Sequence, residues 1–406
     1  MNAPFNNRIT YFARVKFREQ HDRFGIYRKD RLAHVYMIGK TGTGKSTLLE
    51  TLMRQDIECG EGFAFLDPHG DLVERILACV PESRAADLIY VNVPDPAQTF
   101  VFNPLERVPV ERRAFVASSL IDAFKKLWAD SWGPRLEHIL RNSLLTLLDQ
   151  PEATLADVLR LLSNDQFRQE AVSHVLSPEV RAFWNQEYRR YPAAFRAEAI
   201  APVQNKVGAF LANPALAKIL KGPKSTINLR DMMDRRKILL VNLAKGKIGP
   251  DAAALLGSLL VTSLGSAAFS RADLREEERE PFYIYLDEFP TFTTLSLATM
   301  LSELRKYHVG LILAHQYLSQ MDEPVRDAIL GNVGTIISFR IGLSDAELLA
   351  KEFAPVFGVN DLLNLPNYMI YLKLMIDGVP SQPFSAETYL PDRQAGSPAG
   401  EAGLPR

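Results

Sequence analysis

Cysteine is nearly absent from this sequence: its 406 residues hold two, Cys59 and Cys79. Two thiols so spaced build neither a disulfide framework nor a zinc site, and they suit a reducing cytosol. Both are expected in helix packing. Net charge is nearly absent too. Lysine plus arginine number 47 and aspartate plus glutamate 48, a formal net charge of −1. That excludes a globally basic coat for nucleic acid and leaves phosphate contacts to local patches. The seven histidines show no metal-ligand spacing, and no G-x-S-x-G elbow occurs. No charged-then-apolar leader opens the chain. One uncharged stretch, 252–269, reaches the length of a membrane span. Gly257, Ser258, Thr262, Ser263, Gly265 and Ser266 dilute its apolar content, and strand-like segments flank it. It is expected to be a buried core helix. The chain therefore reads as cytoplasmic, with no membrane span of its own.

What is present is an ordinary globular balance, 47% hydrophobic and 23% charged. Residues 1–33 are locally basic: Arg8, Arg14, Lys16, Arg18, Arg23, Arg28, Lys29 and Arg31 outnumber Glu19, Asp22 and Asp30. They read either as a solvated, partly ordered arm or as one that contacts phosphate or docks a subunit. From His34 the pattern changes. Apolar runs at 35–38, 63–66 and 88–93 alternate with helices at 45–58 and 71–80. Continuous apolar runs between helices predict a parallel sheet covered on both faces, here over 34–109.

Between 110 and 235 the alternation stops, and helices are predicted throughout. Leu136, Leu140, Leu144 and Leu148 share one helical face, and Thr154, Ser177 and Asn213 read as N-caps. This segment is read as an all-helical domain inserted into the α/β core, with Trp128, Trp132 and Trp184 packing inside it. Near its end Lys218, Lys221, Lys224, Arg230, Arg235, Arg236 and Lys237 form a basic cluster. It is either a DNA contact or a solvated helix end. The α/β pattern resumes over 236–390, and a Pro/Gly/Ala/Ser-rich tail, 391–406, is expected to be disordered.

Gly39-Lys40-Thr41-Gly42-Thr43-Gly44-Lys45-Ser46 fits the Walker A pattern between a strand and a helix. Its glycines let backbone N–H groups turn inward around phosphate at the positive end of the helix. Gly39, Thr41, Gly42, Thr43, Gly44, Lys45, Ser46 and Thr47 are the candidate nucleotide-binding residues. Lys45 would face the β- and γ-phosphates of ATP, and Ser46 would ligate Mg²⁺. A second strand, 282–286, delivers Asp287 and Glu288 to the same edge of the sheet. Asp287 is the candidate Walker B acid on Mg²⁺, and Glu288 the candidate base for the lytic water. A third strand ends at His315-Gln316. Gln316 either senses the γ-phosphate or merely faces solvent. Arg305 lies before that strand, at the far end of the sheet, from where it could reach only a neighbouring subunit's phosphate. Arg340 competes for that role, and either could instead be a surface ion pair.

Together, the P-loop, the turn Leu66-Asp67-Pro68-His69-Gly70-Asp71, Leu286-Asp287-Glu288-Phe289 and Leu313-Ala314-His315-Gln316 resemble the HerA–FtsK class of P-loop motors. Within it the chain is most similar to type IV secretion coupling proteins of the TraD/TraG kind, over 24–388. The resemblance implies a RecA-like P-loop NTPase: an α/β fold with a mainly parallel sheet covered by helices and an inserted all-helical domain. It also implies a hexameric, ATP-driven, DNA-binding motor of conjugation, with secretion-channel or relaxosome proteins as further partners. Typical members begin with membrane-spanning helices, whereas here the P-loop comes at residue 39. Attachment to the inner membrane is thus expected only through a partner. A HerA-like helicase of repair, a protein-handling secretion ATPase and a nucleotide-dependent scaffold are the alternatives.

Overall fold

The computed structural model describes residues 9–15, 22–106 and 108–389. Its strands are β1 (Ile9–Val15), β2 (Arg23–Tyr27), β3 (Val35–Ile38), β4 (Gly62–Asp67), β5 (Leu88–Asn92), β6 (Ile238–Asn242) and β7 (Phe282–Leu286). They continue with β8 (Val309–His315), β9 (Thr335–Ser338), β10 (Met369–Lys373), β11 (Met375–Ile376), β12 (Val379–Pro380) and β13 (Phe384–Thr388). All but β11 and β12 form one 11-stranded sheet in the order β2-β1-β13-β10-β9-β3-β8-β7-β4-β6-β5. From β9 to β5 the pairing is parallel, and from β10 to β2 it is antiparallel.

Side-chain alternation along the buried strands separates two apolar layers. Tyr36, Ile38, Ala64, Leu66, Leu239, Val241, Ile284 and Leu286 point into one layer. It runs without a break into the helices between Arg113 and Leu220. Val35, Met37, Phe63, Phe65, Ile238 and Leu240 point into the other, which packs on the helix Lys45–Glu58. The uncharged stretch forms the helix Pro250–Phe269 in the first layer. It is long and apolar enough to cross a membrane, but 78% of its most apolar window is buried inside the protein. Gly257 on this helix leaves room for the Phe292 ring, which an added Cβ would meet at 2.2 Å.

The basic N-terminal segment differs from the arm expected of it. β1 and β2 pair in the sheet, β1 against β13 on its other side. Arg8, Lys16, Arg18 and the tail 391–406 lie outside the described residues. Arg28 and Arg31 are turned inward. Arg28 pairs with Glu61 at 2.6 Å. Arg31, fully buried, donates to both carboxylate oxygens of Asp56 at 2.6 and 2.8 Å and lies over the Tyr283 ring at 3.8 Å. Asp56 also accepts from the Tyr285 hydroxyl at 2.5 Å. One buried charge pair thus joins the N-terminal segment, the helix after the P-loop and β7. Removing one partner of such a pair leaves a bare charge in the interior, at a cost of roughly 3–5 kcal/mol. Arg31→Met should lower stability to urea by about that much, and adding Asp56→Leu should recover most of it. Parental stability in the single variant would show that the pair is not buried as described.

Three smaller expectations also change. Thr154 does not cap a helix: the next one is Asp157–Ser163, and the Asp157 carboxylate turns back onto Thr154 N at 2.8 Å. Ser177 and Asn213 do cap theirs. Cys59 is exposed rather than packed, and Cys79 is half-buried with Sγ on the Arg75 carbonyl. In the basic cluster, Lys224, Arg230, Arg235 and Arg236 pair with Glu152, Asp234 and Asp273, Asp231, and Glu280 respectively. Those charges are largely answered within the chain.

Candidate nucleotide site

Four neighbouring strands, β3, β8, β7 and β4, end at one edge of the sheet, and their registers place the candidate residues level. Ile38 pairs with His315, so Gly39 follows beside Gln316; Leu286 pairs with Leu313 and Leu66, so Asp287 follows beside Asp67. The strand ends bring Walker A, the β7 acids and Gln316 together. They leave Arg305 out.

The loop between β3 and Lys45–Glu58 closes on itself. Lys45 is buried and donates Nζ to the carbonyls of Gly39 at 2.5 Å and Lys40 at 3.1 Å. Thr43 is also buried: its hydroxyl donates to Lys40 O at 2.7 Å and its carbonyl accepts from Tyr368 N at 2.8 Å. Gly44 sits at φ 123°, and a Cβ there would meet Tyr368 at 2.9 Å and Phe339 at 3.0 Å. A side chain at this position would be strained and crowded alike. Thr41 and Gly42 are exposed, and Ser46 and Thr47 are half-buried in the first turn of the helix.

Opposite the loop, Asp287 and Glu288 are both buried. Burial first, then the Asp67 and Glu288 carboxylates, push Asp287 up to about 6, while Lys45 opposes them. Burial lowers Lys45 below the usual lysine range, against the pull of Asp287 and Glu288. Acids in excess of the one ammonium are the electrostatics a divalent cation relieves, so the residues fit Mg²⁺. Glu288 stands at φ 49°, a left-handed conformation that a non-glycine residue keeps only when its surroundings hold it.

Those surroundings are specific. Gln316 accepts from the Thr41 hydroxyl at 2.9 Å and donates to Glu288 Oε2 at 3.2 Å. Gln316 therefore bridges the P-loop and the candidate base instead of simply facing solvent. Gln320 donates to Glu288 Oε1 at 2.5 Å. Sequence reasoning missed Gln320, because it sits on a 3₁₀ turn, Leu318–Gln320, that carries no pattern. It also gave Asp67 no role of its own, although an acid ending a buried strand was the signal used for Asp287. Asp67 accepts from the N–H groups of His69, Leu72 and Val73 at 2.9, 3.0 and 3.0 Å, which fixes the turn after β4. His315 is buried, contacts the Tyr36 hydroxyl at 2.6 Å and packs on Phe289; burial lowers it to about 3, so it is a neutral spacer.

The two arginines separate. Arg305 is exposed at the opposite end of β8, with no hydrogen-bond or carboxylate partner for its guanidinium among the described residues. Arg340 lies beside the chain's own P-loop: its carbonyl accepts from Lys40 N at 2.8 Å, and its guanidinium donates to Leu365 O and Asn367 Oδ1.

The type IV secretion-system coupling protein DNA-binding domain is a family whose model matches residues 24–371. The chain belongs to this family. Among solved structures, the plasmid coupling protein TrwB in complex with the non-hydrolysable ATP analogue ADPNP aligns with TM-score 0.66 and 17% identity, over 97% of this chain and 98% of that one. TrwB in complex with ADP and Mg²⁺ aligns with TM-score 0.63 and 16% identity over the same shares. VirB4 of Thermoanaerobacter pseudethanolicus gives 0.64 and 14%, over 94% and 96%. At these identities the likeness shows the coupling-protein fold. Curated proteins gave no match by sequence.

Proposed function

We propose that this coupling-protein chain is an ATP-hydrolysing motor that moves DNA in type IV secretion and conjugative transfer. The observation that carries the reading is the meeting of Thr41, Lys45, Asp287, Glu288 and Gln316 at one sheet edge in a chain of this family. TrwB has been seen with ADPNP and with ADP and Mg²⁺, and ligands of the same class are assigned to this P-loop. With ATP bound, Lys45 would exchange the carbonyls of Gly39 and Lys40 for phosphate oxygens, and Ser46 and Asp287 would hold Mg²⁺. The ion, when bound, neutralises charge on the β- and γ-phosphates. Glu288 orients a water and takes its proton. Gln316, bonded to the P-loop and to Glu288 at once, registers whether the γ-phosphate is present.

Catalysis belongs to 34–109 and 236–390, and selectivity for DNA or a partner belongs to the helices within 110–235. The working assembly is a homo-hexamer, held at the inner membrane by partner proteins of the secretion channel or relaxosome.

The test is ATPase activity of the purified protein without DNA, with single-stranded DNA and with duplex DNA, over a range of salt. Stimulation that falls steeply with salt is expected, since phosphate contacts release counterions on binding. Activity indifferent to both nucleic acids would exclude the DNA motor in favour of a protein-handling ATPase or a scaffold.

A further inference from the structure

The turn after β7 carries Glu288, and its carbonyl oxygens have identifiable donors. Thr291 N binds Glu288 O at 2.9 Å, and Phe292 N and the Thr293 hydroxyl bind Phe289 O at 2.9 and 2.7 Å. The Ser258 hydroxyl binds Phe292 O at 3.1 Å. The carbonyls of Pro290 and Thr293 are met from elsewhere. Both accept from a single ammonium, Nζ of Lys126, at 2.7 Å for Thr293. Lys126 lies on the helix Arg113–Leu127, which opens the helical segment and carries none of the phosphate-site residues.

The same ammonium borders a cavity of about 350 Å³. Pro290 and Thr293 form one wall and Lys126 another, and Gln320, Asp322 and Val325 form a third. Lys126 is an exposed residue of this helix, and its ammonium is held against the two carbonyls at the cavity wall. Desolvation lowers Lys126 to about 8, against the pull of Asp322. Gln320, across the cavity, is the residue that donates to Glu288 Oε1. Glu288 is thus gripped from two directions, its carboxylate by Gln316 and Gln320, and its strained backbone turn by Lys126.

We propose that Lys126 is a positioning residue for Glu288, through which the helical segment controls the alignment of the catalytic turn. A shift of the helix Arg113–Leu127 along its axis moves the ammonium off the Pro290 and Thr293 carbonyls and frees the turn. Whatever engages the helical segment, DNA above all, then alters turnover without touching the nucleotide. The inference rests on the ATPase reading above.

Lys126→Met keeps the stem and removes the charge and its donors. Its kcat should fall by about 10²-fold, the scale of a 1 Å misplacement of a catalytic group. KM and the affinity for a fluorescent ATP analogue should stay within about twofold. Lys126→Arg, which restores cationic donors, should recover much of the loss. In a Glu288→Gln background, Lys126→Met should add nothing to the single-turnover deficit, because both changes act on one group. If Lys126→Met does not fold, Lys126→Gln, with one amide donor left, takes its place with the same expected split. Parental turnover in the variant, a parallel loss of turnover and affinity, or a full additional loss beside Glu288→Gln would overturn the inference. A parental protein without ATPase activity would instead overturn the functional reading on which it rests.

Discussion

Glu288→Gln should bind ATP as the parental protein does and hydrolyse it about 10²–10⁴-fold more slowly, the usual contribution of a positioned general base. The substitution conserves shape, and the turn at φ 49° keeps its backbone bond from Thr291 N to Glu288 O. Nucleotide affinity is expected from elsewhere, from the P-loop N–H groups, Lys45 and Asp287, which the substitution leaves in place. What disappears is the proton acceptor. A secondary change follows from the hydrogen bonds. Gln316 donates to one oxygen of the Glu288 carboxylate and Gln320 to the other, and an amide in its place sets an NH₂ group against one of these donors. One of the two glutamines must therefore turn away. Analogue binding by fluorescence and phosphate release in the steady state measure the two halves separately. A parental rate of phosphate release would remove Glu288 from the role of base and direct attention to water positioned by Gln316 alone.

The parts of this site legible in the sequence share a physical cause. A phosphate loop needs glycines where a Cβ cannot fit, as at Gly44, and a helix straight afterwards; that requirement writes itself into consecutive residues. A buried parallel strand needs an unbroken apolar run, so β7 and the acids that follow it could be read directly. The antiparallel edge could not. β1 pairs with β13 across almost the whole chain, and no local pattern announces a partner so distant. Charge count misled there as well: Arg28 and Arg31 look solvated on paper, but their partners Asp56 and Glu61 come from the end of the helix Lys45–Glu58 and the turn after it. Gln320 and Lys126 were illegible for a related reason. Each acts on the β7 turn from a different part of the chain, and only the packing of three elements around one cavity brings them into play.

Arg305→Ala should still bind ATP yet lose about 10³–10⁵-fold of its hydrolysis, the range for removal of an arginine finger. Lys45, Asp287, Glu288 and Gln316 stand at the carboxyl edge of the sheet, whereas Arg305 precedes β8 at the amino edge. Within one chain the whole length of the sheet separates them, so a role in cis is closed to it. Among the described residues its exposed guanidinium has no partner, unlike its neighbour Lys306, which pairs with Glu303 at 3.1 Å. Arg340 presents the opposite case. It stands on the edge of its own P-loop and already donates to Leu365 and Asn367, which suits a residue that shapes its own site. If Arg305 completes a neighbour's site, activity must rise more than linearly with protein concentration. Mixing provides the decisive measurement. Arg305→Ala chains carry an intact Lys45 site, and Lys45→Ala chains carry an intact Arg305. A mixed assembly should therefore regain part of the hydrolysis that neither variant shows alone, because some interfaces then join the two intact halves. Mixtures that stay inactive although the two variants demonstrably co-assemble would exclude Arg305 as the finger. The transition-state charge would then have to come from the site's own edge of the sheet, where Arg340 is the arginine next to the P-loop.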